Sequence, residues 1–408
     1  MQYSTPQEIK ELNEKVGANP TFVFDMDGNV LEGYDLPKNV PLYPDELLET
    51  TEKQSFPFHM TGKDLDVAVS AGLAKKVLGA EKTMDVRLPT PMVAAINHYI
   101  EQGRYFTLCA LTSREMSEAR KILEASGVKK AEKVTLVADS GATLQINGEN
   151  RLIRDITEGE KLFKDNLAQR AKSDDFSSAL HEKLAESGYN TEGMPEPYIE
   201  EKGIALNVHY REIINHFGED EGGQLDNILT PFIKNYFSDE IAAGPKDEKG
   251  NDVFGVLDGP MTVEFKITNI TKGDGLEAIT KALIEAGVNP SAIIFSGDDL
   301  CKDIGGHSGP GTDYFAAVRA DELECDYEIP FFNVHTHHPV PGKSDTPRPE
   351  RNPDLLPENM KLRVDLRVPH PADNCRFMIE ALGLEGKEFE FSAIPSANPA
   401  NVPSLEAK

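Results

Sequence analysis

The chain has 408 residues, enough for two or three domains with a core of ordinary size. Apolar residues make up 39% and charged residues 27%, the balance of a globular chain and not of a disordered one. With 42 basic and 69 acidic side chains the net charge is −27, which argues against a nucleic-acid partner and against docking on anionic membranes. A small phosphorylated substrate in a locally positive pocket stays compatible with that balance. No stretch is long and apolar enough to span a bilayer, and the N-terminal residues lack a basic start followed by an apolar run. Cys109, Cys301, Cys325 and Cys375 have no paired or metal-type spacing, which fits a reducing compartment. The expected location is therefore cytoplasmic.

Thr21 to Asp25 (TFVFD) is a short apolar run closed by polar residues and Gly28, the signature of a buried parallel strand. A long polar stretch over 34–88 reads as an insertion with some helix. Thr90-Pro91 opens a helix, with Met92, Val93, Ile96, Tyr99 and Ile100 at helical spacing. Tyr105 to Leu111 is a second buried strand. A helix with Met116, Ala119, Ile122 and Leu123 follows, closed by Gly127, and Val134 to Ala138 is a third strand. Strand and helix in alternation imply a parallel sheet with right-handed crossovers. From about 150 the character changes. Helices near 158–171 and 176–187 precede alternating strands at Gly203–Arg211 and Met261–Ile267, as in a half-buried sheet. A helix with Leu276, Ile279 and Leu283 and a strand over Ala292–Phe295 resume the parallel pattern. The expected architecture is α/β: a doubly wound, Rossmann-like parallel-sheet core (1–149 and 268–386) interrupted by an α+β domain (150–267), with a flexible tail over 387–408.

Ligands of doubly wound folds bind beyond the carboxyl ends of the strands. The first strand ends in Asp25-Met26-Asp27-Gly28. A calcium loop would want glycine at its sixth position, and here Gly28 is fourth and a strand precedes it. A plain polar turn and a nucleophilic carboxylate with a second aspartate as acid/base both stay open. Thr112-Ser113-Arg114 ends the second strand. It is either a helix cap or a hydroxyl and a guanidinium for phosphoryl oxygens. Lys272 precedes the Leu276 helix, either solvated or neutralising charge at the strand ends. Ser296-Gly297-Asp298-Asp299 ends the next strand, and its acids suit a hard cation such as Mg²⁺.

Taken together, these four motifs, each at or beside a strand end and in this order, resemble the haloacid dehalogenase superfamily of phosphotransferases. The resemblance covers roughly 20–145 and 268–385. It implies Asp25 as nucleophile, Asp27 as general acid/base, Thr112 on the transferring phosphoryl group and Lys272 stabilising the aspartyl phosphate. It further implies Mg²⁺ on Asp25, Asp27 and Asp298, with Asp299 or Asp303 in support, and a cap domain inserted between the threonine and lysine motifs. The segment Ile199–Arg211 (IEEKGIALNVHYR) is similar to a cap strand of trehalose-6-phosphate phosphatases, with Glu200, Lys202, Gly203, His209, Tyr210 and Arg211 at the family's spacing. Met261–Ile267, with Glu264, is similar to that family's next cap strand. The resemblance implies Glu200 and Glu264 on sugar hydroxyls, and Lys202, His209 and Arg211 on the sugar or its phosphate, with Arg114 also at the substrate. The implied function is Mg²⁺-dependent hydrolysis of trehalose 6-phosphate. Action on a sucrose, glycoside or hexose phosphate, or a catalytically silent sugar-phosphate-binding regulator, are the alternatives. The implied partner is a small sugar phosphate, with neither nucleic acid nor membrane.

Strand alternation puts Asn207, His209 and Arg211 on one face of Gly203–Arg211. Glu200 and Lys202 have the opposite parity, which a bulge at Gly203 would correct. Departures from the family pattern are Asn29 in place of threonine, Ser113 in place of glycine, and LCKDIGGHSGPG between Gly297-Asp298-Asp299 and Thr312-Asp313. That loop leaves Asp299, Asp303 and Asp313 as alternatives for supporting the metal. His335, His337 and His338 have the composition of a metal site but no nearby ligand of another kind. They are expected in a surface loop near the pocket.

Overall fold

The structure is a computed structural model that describes residues 3–26, 29–30, 74–76, 83–85, 88, 90–218, 223–259, 261–304, 307–337, 339–340, 343–347, 351–369 and 371–384. The expected insertion over 34–88 lies outside the described residues, apart from Leu88 and a hairpin that pairs Ala74–Lys76 with Thr83–Asp85. The C-terminal tail lies outside them as well.

The core is an eight-stranded sheet. Its strands in chain order are β1 (Thr21–Phe24), β2 (Leu108–Leu111), β3 (Thr135–Ala138), β4 (Thr143–Ile146), β5 (Glu149–Leu152), β6 (Ile293–Gly297), β7 (Phe331–Thr336) and β8 (Leu366–Val368). Across the sheet the order is β8-β7-β6-β1-β2-β3-β4-β5. The first six positions pair in parallel, and β4 and β5 add an antiparallel edge. Strands β1, β2, β3 and β6 are buried at every position, because helices cover both faces. Alternate residues serve opposite faces. Phe22, Phe24 and Ile294 pack with Leu12, Met92, Ile96 and Phe377 from helices Pro6–Val16, Thr90–Glu101 and Pro371–Ala381. Val23, Ile293 and Phe295 pack with Leu276, Ile279, Ala317 and Leu323 from helices Lys272–Glu285 and Tyr314–Tyr327.

The chain winds outward from β1 to β3, returns beside β1 as β6, and winds outward on the other side. The strand order therefore reverses between β1 and β6, and a crevice opens there at their carboxyl ends.

Between β5 and β6 the chain builds a second unit around a four-stranded antiparallel sheet. Its strands are β9 (Tyr198–Glu201), β10 (Ala205–His209), β11 (Phe254–Gly259) and β12 (Thr262–Ile267), in the order β11-β12-β10-β9. Leu206, Val208, Val263 and Phe265 turn one face of it onto helices Glu158–Ala171, Asp174–Glu186 and Gln224–Tyr236. Asn207, His209, Thr262, Glu264 and Lys266, of the other parity, line the opposite face.

Two expectations change here. Gly203–Arg211 is not one strand with a bulge: Lys202 and Gly203 form the turn of a β9–β10 hairpin, closed by the Lys202 amide donating to the Ala205 carbonyl at 2.8 Å. Glu200 thus pairs with Asn207, and the hairpin carries it to the same face, which corrects its parity without a bulge. Arg211 leaves the sheet altogether and opens the helix Arg211–Phe217.

Candidate active site

Strand β1 delivers Asp25 to the crevice, 5% exposed, its amide donating to the Ser296 carbonyl at 2.9 Å. Lys272 arrives from the first turn of Lys272–Glu285, a helix held by Asp274, which accepts from the Thr271 amide and hydroxyl at 2.8 Å. A cation at a helix N-terminus opposes the helix dipole, so its place there needs an offsetting partner. Two are present. The ammonium lies 2.8 Å from Asp25 Oδ2 and 2.5 Å from Asp313 Oδ1. Burial would push the lysine pKa down, but Asp25 and Asp313 outweigh it and hold the pKa above the usual lysine value.

Asp313 is the brace of the site. Its Oδ2 accepts from the amides of Asp298 and Asp299 at 3.0 and 2.9 Å while Oδ1 holds Lys272. A Cβ on Gly297 would collide with that carboxylate, so only glycine lets Asp313 reach the turn. The intervening sequence is a β-hairpin, Cys301–Ile304 paired with His307–Pro310, so its two ends come back together and Asp313 returns beside Asp298. Asp299 turns away: its Oδ2 accepts from the Thr312 amide and hydroxyl at 2.9 and 3.0 Å. Asp303 falls among side chains outside the description.

Oxygens of Asp25, Asp298 and Asp313 lie within 4.8 Å of one another, all three residues buried. Asp298 also pairs with Arg351, from the segment before β8. Among the described residues, these three carboxylates face Lys272 and Arg351 and form a buried all-oxygen donor set. That chemistry fits a hard divalent cation. Asp27 lies outside the described residues.

Thr112, fully buried, follows β2, and its Oγ1 accepts from the Arg114 amide at 3.2 Å. Arg114 pairs with Glu118 at 2.7 Å. The next turn locks this loop: the Asp139 amide donates to the Arg114 carbonyl at 2.8 Å and the Ser140 amide to the Thr112 carbonyl at 3.0 Å. Asp139 and Ser140 have positive φ (52° and 53°), strain typical of sites held by their surroundings, and Gly141 (107°) continues the turn without strain. The Asp139 carboxylate packs on Gly203 of the inserted unit. Burial and then Glu115 raise its pKa to about 6, against smaller opposing effects of Thr143, Lys202 and the Gly203 amide. Sequence reasoning missed Asp139; its only signal is the Asp-Ser-Gly run after a strand.

Asn29 sits in a buried network. Its amide donates to the Ser296 carbonyl at 2.5 Å, and its Oδ1 accepts from Thr336 and Asn374 at 2.5 Å each. These bonds tie Asn29 to β6, to β7 and to the helix Pro371–Ala381. His335 and His337 do not lie in a surface loop: they are 1% and 2% exposed, at the end of β7. His335 pairs in register with Gly297, and burial pushes its pKa down to about 3. His338 lies outside the described residues.

On the inserted unit Glu200 gathers neighbours. Its Oε2 lies 2.9 Å from His209 Nε2, accepts from Asn207 at 3.1 Å, and lies 3.7 Å from the Lys202 ammonium. Glu264, opposite Asn207 on β12, shares their face. Asn207 was not among the expected substrate residues, although its parity pointed there. Arg211 lies outside this sheet face, in the first turn of the helix Arg211–Phe217.

Among the described residues no helix is long and apolar enough to cross a membrane. No family model matches the chain, and no curated protein matches it. Several solved structures are similar. A trehalose-6-phosphate phosphatase related protein aligns at 13% identity and a TM-score of 0.43, over 90% of this chain and 100% of its own. The trehalose-6-phosphate phosphatase C-terminal domain of C. albicans aligns at 13% and 0.46, over 94% and 99%. The C-terminal domain of the Candida albicans trehalose synthase regulatory protein aligns at 10% and 0.41, over 92% and 98%. Likenesses this distant fix no residue's role, so the chemistry rests on the side chains described above.

Proposed function

We propose that this protein is a phosphoric monoester hydrolase of the haloacid dehalogenase type, acting on a sugar phosphate. The observation that carries this reading is Lys272 bridging Asp25 and Asp313 beside Asp298, buried in the crevice where the strand order reverses. An Asp25 oxygen attacks phosphorus, the bond to the sugar oxygen breaks, and Asp27 protonates that oxygen as it leaves. Water then gives a proton to Asp27 and attacks the phosphorus, which frees Asp25 and releases phosphate. Lys272 holds Asp25 ionised and screens the incoming charge, and the Thr112 loop contacts the phosphoryl oxygens. Asp25, Asp298 and Asp313 are the described carboxylates available to Mg²⁺, with Asp313 taking the supporting place first expected of Asp299. When bound, the cation supplies charge neutralisation at the phosphoryl group.

The inserted unit acts as the cap that reads the sugar, through Glu200, Lys202, Asn207, His209 and Glu264. Trehalose 6-phosphate is the proposed substrate, on the strength of the Glu200–His209 cluster. A second reading keeps the chemistry and changes the sugar, and the displacement of Arg211 from the sheet into a helix favours it. The test is phosphate release from trehalose 6-phosphate, sucrose 6-phosphate and hexose 6-phosphates, with and without Mg²⁺. Release confined to trehalose 6-phosphate supports the first reading. Release from a different ester supports the second. A protein inert towards every ester is a silent binder.

A further inference from the structure

Lys266 stands apart from the other cations of the cleft. It lies on β12, 5% exposed, on the face that also carries Glu264, Asn207 and His209. Among the described residues its ammonium makes no hydrogen bond and no ion pair closer than 4 Å. Compare Lys272, equally buried, which holds two carboxylates. A buried lysine is costly, and a buried lysine without a counter-ion more so. Its charged neighbours come from every side of the cleft: Glu264 on its own strand, Lys202 on the β9–β10 turn, and Lys272 and Asp274 at the start of the core helix. Two of these four are themselves cations, so the neighbourhood does not neutralise it. Burial is the main cause of its pKa falling to about 8, with Lys272 and Lys202 adding to the fall against Glu264 and Asp274. Lys266 thus feels the charge of two other lysines, from two other elements, and among the described residues it has no ion pair of its own.

We propose that Lys266 is a substrate-contacting residue whose ammonium binds a phosphoryl oxygen from the cap side of the cleft, opposite Lys272. This rests on the reading of the cleft as a phosphate-ester site, and it adds a contact supplied by the cap itself. Bound phosphate provides the missing counter-ion, so ligand and cap closure become coupled: Lys266 loses its partner whenever the cleft is empty. The core lysine is committed to Asp25 and Asp313, whereas the cap lysine is free to respond to the ligand.

The test uses the full chain with Mg²⁺ and inorganic phosphate as probe, followed by calorimetry. Lys266→Met keeps the stem and removes the charge; Lys266→Arg keeps the charge. The proposal predicts that the methionine variant binds phosphate about tenfold more weakly, and that the arginine variant stays within a few-fold of wild type. Wild-type affinity should also decline from pH 7 to 9.5 more steeply than that of Lys266→Arg, as the lysine loses its proton. Equal affinity of wild type and Lys266→Met overturns the proposal and leaves the phosphatase reading intact. Wild type that binds no phosphate and releases none from any ester overturns both. Should Lys266→Met fail to fold, the wild-type and arginine pH profiles decide, and coincident profiles overturn the proposal.

Discussion

The two halves of the cleft are built on opposite plans. In the core, Lys272, Asp25 and Asp313 are 1%, 7% and 0% exposed at their side chains, and each carboxylate has a cation or amide in place. On the inserted unit Glu200, Lys202 and His209 keep 16–24% of their side-chain surface, and among the described residues Lys266 has no ion pair within 4 Å. The core side chains hold one another in place, while those of the inserted unit stay partly open to solvent. Preorganised charge suits the step where bonds break, since no reorganisation is then needed at the moment of reaction. Polar groups still open to solvent suit recognition, because a ligand can take over their hydrogen bonds.

Removing the brace from the core should break this contrast most severely. Asp313→Ala strips Lys272 of one carboxylate and leaves the Asp298 and Asp299 amides without an acceptor in a buried site. We expect a loss of about 3–5 kcal/mol in urea unfolding and a fall of about 10- to 100-fold in kcat. Glu200→Gln, the comparable change on the inserted unit, should leave stability nearly unaltered and raise KM.

A smaller effect is expected at Arg351, which occupies Asp298 and so competes with a cation there. Arg351→Gln should tighten Mg²⁺ binding by about tenfold, read by calorimetry or by the rise in Tm with added Mg²⁺. Unchanged Mg²⁺ affinity would mean that the guanidinium sits aside when the cation is bound.

The mildest expectation concerns pH. His335 is neutral in the folded core, its pKa lowered to about 3, whereas in the unfolded chain it protonates near 6.5. The unfolded state therefore gains a proton first, and stability falls as pH drops below about 6.5, by at most about 1.4 kcal/mol per unit. His335→Phe should flatten that part of the acid limb in a series of chemical unfolding curves.

Much of the core was legible because its motifs sit where local patterns end. Asp25 and Asp298 close apolar runs, and Lys272 opens a helix that its own spacing of leucines announces. In the sequence Asp313 is one of three alternatives, since the pairing of Cys301–Ile304 with His307–Pro310 decides it and neither segment has strong strand character. The position of Glu200 depended on whether Lys202-Gly203 bulges or turns, and parity arithmetic alone does not separate the two. Neighbouring prolines hide the burial of His335 and His337, which follows from the pairing of His335 with β6 and β8 and from the His337 amide donating to the Val368 carbonyl. Asp139 gains its meaning only from its contact with Gly203 of the inserted unit, and Lys266 only from charges at the start of the core helix, neither of which a local period encodes.

The central claim is that Asp25 carries the phosphoryl group. It is tested most directly by rapid acid quench during turnover of p-nitrophenyl phosphate and trehalose 6-phosphate with Mg²⁺, followed by mass spectrometry of the peptide containing Asp25. The account predicts a phosphate adduct on Asp25 that forms and decays with turnover, absent in Asp25→Asn, which releases no phosphate. Steady phosphate release with no adduct at Asp25, undiminished in Asp25→Asn, would contradict it.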